Sequence, residues 1–360
     1  MSTIAILGSN ARYIRSQPGI AYNVSDIQWN TPAVYSNGTY NSLVALSSFG
    51  STYIGATNTG TIVAGTSLDA LGEGPSISGT NAWFTPTGMA TDNSVILIVG
   101  LYRDPLTLQE VGAVFTNQEN DALLLIQPNT LLITSVSSPQ VVSAYQGNQG
   151  IIYYPLWTVP GNGPSVLYNC RLVQVPLAYD TDPVPVWVAC GRKDINNGAI
   201  YWTQDQITWN ELALPPAFAD RNVFDVTVVQ YSGTDYRLYF SCWGVILNIA
   251  SLIPGAATWN SSQELVTPYA QPDLYRIEKN NSNEMVAVAS GGIFYSADGV
   301  NWGRFSQSGY QFRGVAWLND TWVVGSETLL QTNQAWTSTN GITWTGQTVG
   351  VNAQDVTVVS

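Results

Sequence analysis

A chain of 360 residues with 24 acidic and 12 basic side chains has a net charge of -12, which opposes binding to phosphate backbones and to anionic membrane surfaces. Charged residues make up only 10% of the chain, against roughly 25% in ordinary soluble proteins, so Ser, Thr, Asn, Gln and Gly must solvate most of its surface. The absence of histidine removes the commonest general base and the commonest transition-metal ligand, and with them Ser-His-Asp, Cys-His and His-ligated zinc chemistry.

Met1-Ser-Thr-Ile-Ala-Ile-Leu7 contains no basic segment and no long apolar run, so no signal peptide is expected and synthesis is expected in a cytoplasm. Ile4–Leu7 reads as a strand. Ile20-Ala-Tyr-Asn-Val-Ser-Asp-Ile-Gln-Trp29 follows, with Asp26 three residues before Trp29. Ser51–Gly55, Val95–Ile98 and Ile151–Tyr154 are short β-branched and aromatic runs between turn-forming clusters, as strands require. The longest apolar run, Val95–Leu101, is far below the roughly 20 residues of a membrane helix, so no membrane insertion is expected. Cys170, Cys190 and Cys242 are odd in number and set in apolar text, which suits buried free thiols.

From Val184–Val188 onward the text becomes periodic. Ile200-Tyr-Trp-Thr-Gln-Asp-Gln-Ile-Thr-Trp209 is echoed by Ile293-Phe-Tyr-Ser-Ala-Asp-Gly-Val-Asn-Trp302 and by Ala335-Trp-Thr-Ser-Thr-Asn-Gly-Ile-Thr-Trp344. Trp209, Trp259, Trp302 and Trp344 are separated by 50, 43 and 42 residues, the spacing of four-stranded propeller blades. Within a unit, Gly314–Leu318, the turn Asn319-Asp320, Trp322–Gly325 and the box strand alternate strand and turn text. No long segment has helical periodicity.

These units predict one all-β domain over 1–360, a β-propeller of four-stranded antiparallel blades. Eight second-strand runs favour eight blades; the irregular stretch from Leu167 to Asp182 keeps seven as the alternative. The closing text Ala353-Gln-Asp-Val-Thr-Val-Val-Ser360 is expected to supply a strand to the first blade and remove an exposed edge.

Ser296, Asp298, Gly299 and Trp302, and Ser338, Asn340, Gly341 and Trp344, form a Ser-x-Asp/Asn-Gly-x-x-Trp text that resembles the Asp-box, or BNR repeat, of sialidase-like and photosystem-assembly-factor-like propellers. Thr203, Asp205 and Trp209 keep the pattern without its glycine, and Asp26 with Trp29 is a more degenerate copy. The Asp or Asn oxygen suits backbone N–H groups across a hairpin, the hydroxyl adds a local bond, and the Trp buries a large ring between sheets. In the families it resembles, this box lies away from the substrate site, which implies a structural role.

A sialidase-like enzyme would carry a Phe/Tyr-Arg-Ile-Pro text before its first box. Tyr275-Arg-Ile-Glu278 comes late and lacks the proline, so it reads as an ordinary first strand. Asp180-Thr-Asp182 and Glu119-Asn-Asp121 lack the ligand count of a Ca²⁺ loop, and Asn37-Gly-Thr39 and Asn319-Asp-Thr321 read as turns. Trp157, Tyr269 and Tyr310 are candidates for stacking on a sugar or a protein partner.

No catalytic residue, cofactor or metal is expected. The composition and irregular boxes are similar in style to those of bacteriophage structural proteins, and imply a non-enzymatic scaffold in a virion, as a tail, fibre, nozzle or capsid-decoration protein. Its expected partners are other virion proteins, further copies of itself in a symmetric assembly, or a host-surface glycan, with no nucleic acid. The alternatives are a cellular assembly factor and a glycan-binding or sialidase-like propeller.

Overall fold

The computed structural model of the chain describes residues 2–9, 11–15, 28–30, 42–76, 83–92, 95–103, 110–116, 140–144, 150–154, 165–177, 182–194, 197–205, 209–233, 235–253, 259–264, 271–328 and 334–360. Asp26, Asn37, Glu119, Asp121, Trp157, Asp180 and Tyr269 lie outside them. Among the described residues the regular structure is strand, and the only helical pieces are the three-residue 3-10 turns Leu68–Ala70 and Pro216–Phe218. β-Branched and aromatic runs between Gly, Asn and Asp clusters leave the backbone this one cooperative option.

The chain forms two compact units. The first comprises Met1–Leu43, Val173–Val184 and Phe224–Ser360. In one of its sheets Thr3–Ser9 lies between Arg12–Arg15 and the late strand Asn352–Val359, with Ile4 opposite Val358 and Ile6 opposite Val356. The closing strand expected near the C-terminus therefore pairs with the first strand of the chain.

A second sheet of this unit runs Val223–Ser232, Asp235–Cys242, Val245–Ile249 and Asn260–Glu264 in sequence order. The third has six strands: Leu274–Lys279, Met285–Ser296, Gly303–Leu318, Thr321–Glu327, Ala335–Ser338 and Thr345–Gln347. Its two longest strands each change partner midway. Residues Met285–Ala289 pair with Leu274–Lys279, whereas Gly292–Tyr295 pair with Gly303–Ser306; Gln311–Leu318 then pair with Thr321–Glu327. Gly291 and Gly309, with φ of 76° and 84°, sit at the two changes. Each half thus keeps the four runs of one repeat. The turn Asn319-Asp320, with φ of 49° and 56°, joins the paired residues Leu318 and Thr321, the positive-φ geometry that matches strand twist in a two-residue hairpin.

Alternation divides the core of this unit into layers. Met285, Ala287 and Ala289 pack with Val229, Tyr239, Ile246, Ile277, Phe294 and Trp302. Val286 and Val288, on the opposite face of the same strand, pack with Ile293, Val315, Trp322, Val324, Trp336 and Trp344. A strand buried on both faces must be apolar throughout, and Met285–Ala289 is.

The second unit comprises Val44–Leu172 and Pro185–Val223. It contains the sheet Leu43–Phe49, Thr52–Thr57, Thr61–Gly65 and Gly72–Ser76, and a five-stranded sheet built on Trp83–Thr91, Ile96–Arg103 and Glu110–Thr116. A further sheet runs Val166–Val175, Val184–Asp194, Asn197–Thr203 and Asn210–Glu211. Leu97, Val99, Leu167, Trp187, Ala189 and Tyr201 form its core, with Trp209 packed against them. All three cysteines are buried thiols outside any disulfide, as their apolar setting suggested.

Candidate functional site

The box turns use their polar atoms on themselves. Ser296 Oγ accepts the N–H of Gly299 at 2.9 Å and donates to Asp298 Oδ1 at 3.1 Å. Asp298 Oδ1 also accepts from the N–H groups of Val300 and Asn301 at 2.8 and 2.7 Å, and Oδ2 accepts from Asn301 Nδ2 at 2.8 Å. These donors, the Asn301 N–H first, favour the ionised form and hold the carboxyl at about 2, below its ordinary 3.8. Asn340 repeats the arrangement, with Oδ1 accepting from Ile342 and Thr343 N–H at 2.9 Å each, while Ser338 Oγ accepts from Gly341 N at 2.9 Å. In the third copy Thr203 Oγ1 donates to Asp205 Oδ1 at 2.8 Å.

The two box glycines meet a double requirement. Both have positive φ, 73° at Gly299 and 70° at Gly341. Both also lie under a tyrosine of the preceding text: a Cβ would fall 2.3 Å from Tyr239 Oη at Gly299 and 2.3 Å from Tyr295 Cδ2 at Gly341. Trp302 and Trp344 are buried between sheets, and Trp344 Nε1 returns a bond of 3.0 Å to Gly341 O. Trp29 packs against the cluster of Ile4, Ile6 and Val356 and donates from Nε1 to Gln347 Oε1 at 3.1 Å. Tyr310 is buried between Phe312 and Trp336, so it belongs to the core and not to a stacking surface.

A second group of charged and aromatic residues gathers near the starts of successive strands in the first unit. Arg276, 7% exposed, donates from Nε and Nη2 to the two carboxylate oxygens of Asp355, each at 2.9 Å. Arg313 donates from Nε and Nη2 to Glu327 Oε2 at 3.0 and 2.8 Å, and its guanidinium carbon lies 4.3 Å from the centroid of the Tyr275 ring. Phe224 meets Tyr275 edge-on at 5.8 Å, and the fully buried Asp225 accepts the N–H of Ile277 at 3.2 Å.

Two residues before Tyr275, Asp273 forms an isolated antiparallel bridge with Trp243. Gly244 N donates to Pro272 O at 2.8 Å and Trp243 Nε1 to Gln271 O at 2.9 Å, which fixes the backbone and the indole while leaving Trp243 38% exposed. Burial raises the Asp273 carboxyl, and the charge of Arg313 opposes the rise.

Arg276 commits its fork to Asp355 and does not present it to a substrate carboxylate. The Tyr275 hydroxyl is pushed upward, by burial first, with Arg313 opposing the rise and Asp273 and Glu327 adding to it. Among the described residues no three Cys, Asp or Glu side chains converge as metal ligands. Tyr275-Arg-Ile277 does lie in a first strand, Leu274–Lys279. Its partners Arg313 and Asp355 are too distant in sequence for local patterning to reveal.

No protein-family model matches the chain, and neither does any curated protein. Among solved structures it is similar to YCF48 bound to a D1 peptide, at 13% identity and a TM-score of 0.52, over 91% of this chain and 86% of that one. It also aligns with YCF48 from Cyanidioschyzon merolae, at 10% identity and a TM-score of 0.42, over 84% of this chain and 96% of that one. An α-L-arabinofuranosidase from Fusarium graminearum, Arb93A, aligns at 14% identity and a TM-score of 0.43, over 75% of this chain and 83% of that one. The first likeness, with the antiparallel four-run sheets, identifies the fold as an all-β propeller.

Proposed function

We propose that this propeller is a non-enzymatic binding scaffold, a structural component of virus particles that docks neighbouring virion proteins. The observation that carries the scaffold reading is the internal pairing of its best-placed arginines. Arg276 is bonded to Asp355 and Arg313 to Glu327, on strands that the pairs hold together, while Trp243 presents exposed aromatic surface. The similar YCF48 structure contains a bound D1 peptide, so this fold can hold a protein segment. The virion setting draws its support from composition: two lysines, no histidine, and a surface built on neutral polar residues.

Mass spectrometry of purified particles from the source that encodes the chain tests the setting, with an integral copy number expected and absence of the polypeptide overturning it. Turnover of a fluorogenic sialoside that is lost in Arg276→Ala and retained in a folded control would overturn the non-enzymatic reading.

A further inference from the structure

Trp243 and Asp273 stand opposite each other in an isolated antiparallel bridge of the strand-start group. Residues directly opposite in an antiparallel bridge project to the same side, with Cβ atoms roughly 5 Å apart, so the exposed indole and the half-buried carboxylate flank one small surface. The indole cannot swing freely, because its N–H is bonded to Gln271 O. The indole is therefore held in a fixed orientation with Trp243 38% exposed.

The carboxylate is the counterpart. The arginines nearby are already bonded to other acids, Arg276 to Asp355 and Arg313 to Glu327. Asp273 accepts no hydrogen bond among the described residues, although Arg313 is close enough to lower its carboxyl. Burying a carboxylate without donors is unfavourable, and a cationic donor brought by a partner would remove that cost. A guanidinium or ammonium laid on the indole would gain cation–π attraction at the same position. The net charge of -12 also draws a basic partner toward the whole molecule.

We propose that the Trp243–Asp273 pair is a reader of basic side chains, and that it captures an arginine or lysine of a docking protein segment. This rests on the scaffold reading and adds the chemistry of the partner to it.

Fluorescence anisotropy with a labelled peptide of alternating arginine and glycine tests the site, beside a matched peptide with glutamate in place of arginine. Asp273→Asn and Trp243→Ala should each weaken binding of the arginine peptide about tenfold, and Trp243→Phe should restore part of the loss. Asp320→Asn, which removes the same charge from a turn elsewhere, should change it less than about twofold. Melting curves identify any variant that fails to fold, and Trp243→Phe then stands in for Trp243→Ala.

Equal weakening by Asp273→Asn and Asp320→Asn would reduce the effect to overall charge and overturn the site. So would equal affinity for the glutamate peptide, or Trp243-dependent binding to glycans with none to the arginine peptide. Presence in particles without basic-peptide binding would sink this proposal alone, whereas absence from particles would sink the virion reading.

Discussion

The guanidinium of Arg276 and the carboxylate of Asp355 stand 79 residues apart in sequence and meet through two bonds of 2.9 Å, with Arg276 only 7% exposed. Removing one member strands the other in a poorly solvated position. Asp355→Ala is expected to destabilise the protein by about 3 kcal/mol. The double variant Arg276→Leu/Asp355→Ala should recover part of that loss. Urea titration of the set measures both, and equal midpoints for wild type and Asp355→Ala would show that the pair contributes nothing.

Gly299 and Gly341 combine a positive φ with a tyrosine over the missing Cβ, whereas Gly50, at φ 56°, has open space there. Ala at Gly50 meets only the conformational cost, about 1 kcal/mol. Ala at Gly299 or Gly341 must also displace Tyr239 or Tyr295, and the total is expected to reach about 3 kcal/mol. Thermal unfolding should rank Gly50→Ala above both box variants.

Asp298 titrates at about 2 in the folded protein, below its ordinary 3.8, chiefly because backbone N–H groups bond its ionised form. A depressed folded value means that its stabilising contribution is complete above the unfolded value and is lost as pH falls through 3.8 toward 2. Asn at this position cannot titrate, yet it keeps an acceptor oxygen, as Asn340 does in its own box. Asp298→Asn should therefore flatten the stability curve between those pH values. Parallel acid titrations followed by Trp fluorescence would reveal no difference if the carboxylate were merely decorative.

Trp344 Nε1 bonds Gly341 O at 3.0 Å, while the buried Trp302 Nε1 has no partner among the described residues. Phenylalanine at 344 forfeits that bond as well as ring area. Trp344→Phe is expected to cost about 1 kcal/mol more than Trp302→Phe. Guanidinium melts of the two variants decide the order.

The parts of the fold that sequence reveals are those whose causes are local or periodic. Strand text between turn residues marks the runs, and Asn319-Asp320 announces a tight hairpin because both residues tolerate positive φ. The run Met285–Ala289 shows its burial on both faces in its unbroken apolarity. The strand-start group was not legible in the same way. Arg276 carries no local sign of Asp355, and Arg313 none of the Tyr275 ring it covers, because first strands are brought together only by the stacking of whole repeats. Trp243 and Asp273 were equally silent, since a single cross-strand bridge between segments 30 residues apart has no periodic signature.

Thr3–Ser9 has Arg12–Arg15 on one side and Asn352–Val359 on the other. A ribosome delivers Asn352–Val359 long after Thr3–Ser9, so one flank of Thr3–Ser9 stays open in the nascent protein until that distant partner has emerged. Completion of that sheet therefore waits on distant sequence, and products of termination before Asn352 would carry an unzipped seam available to another chain.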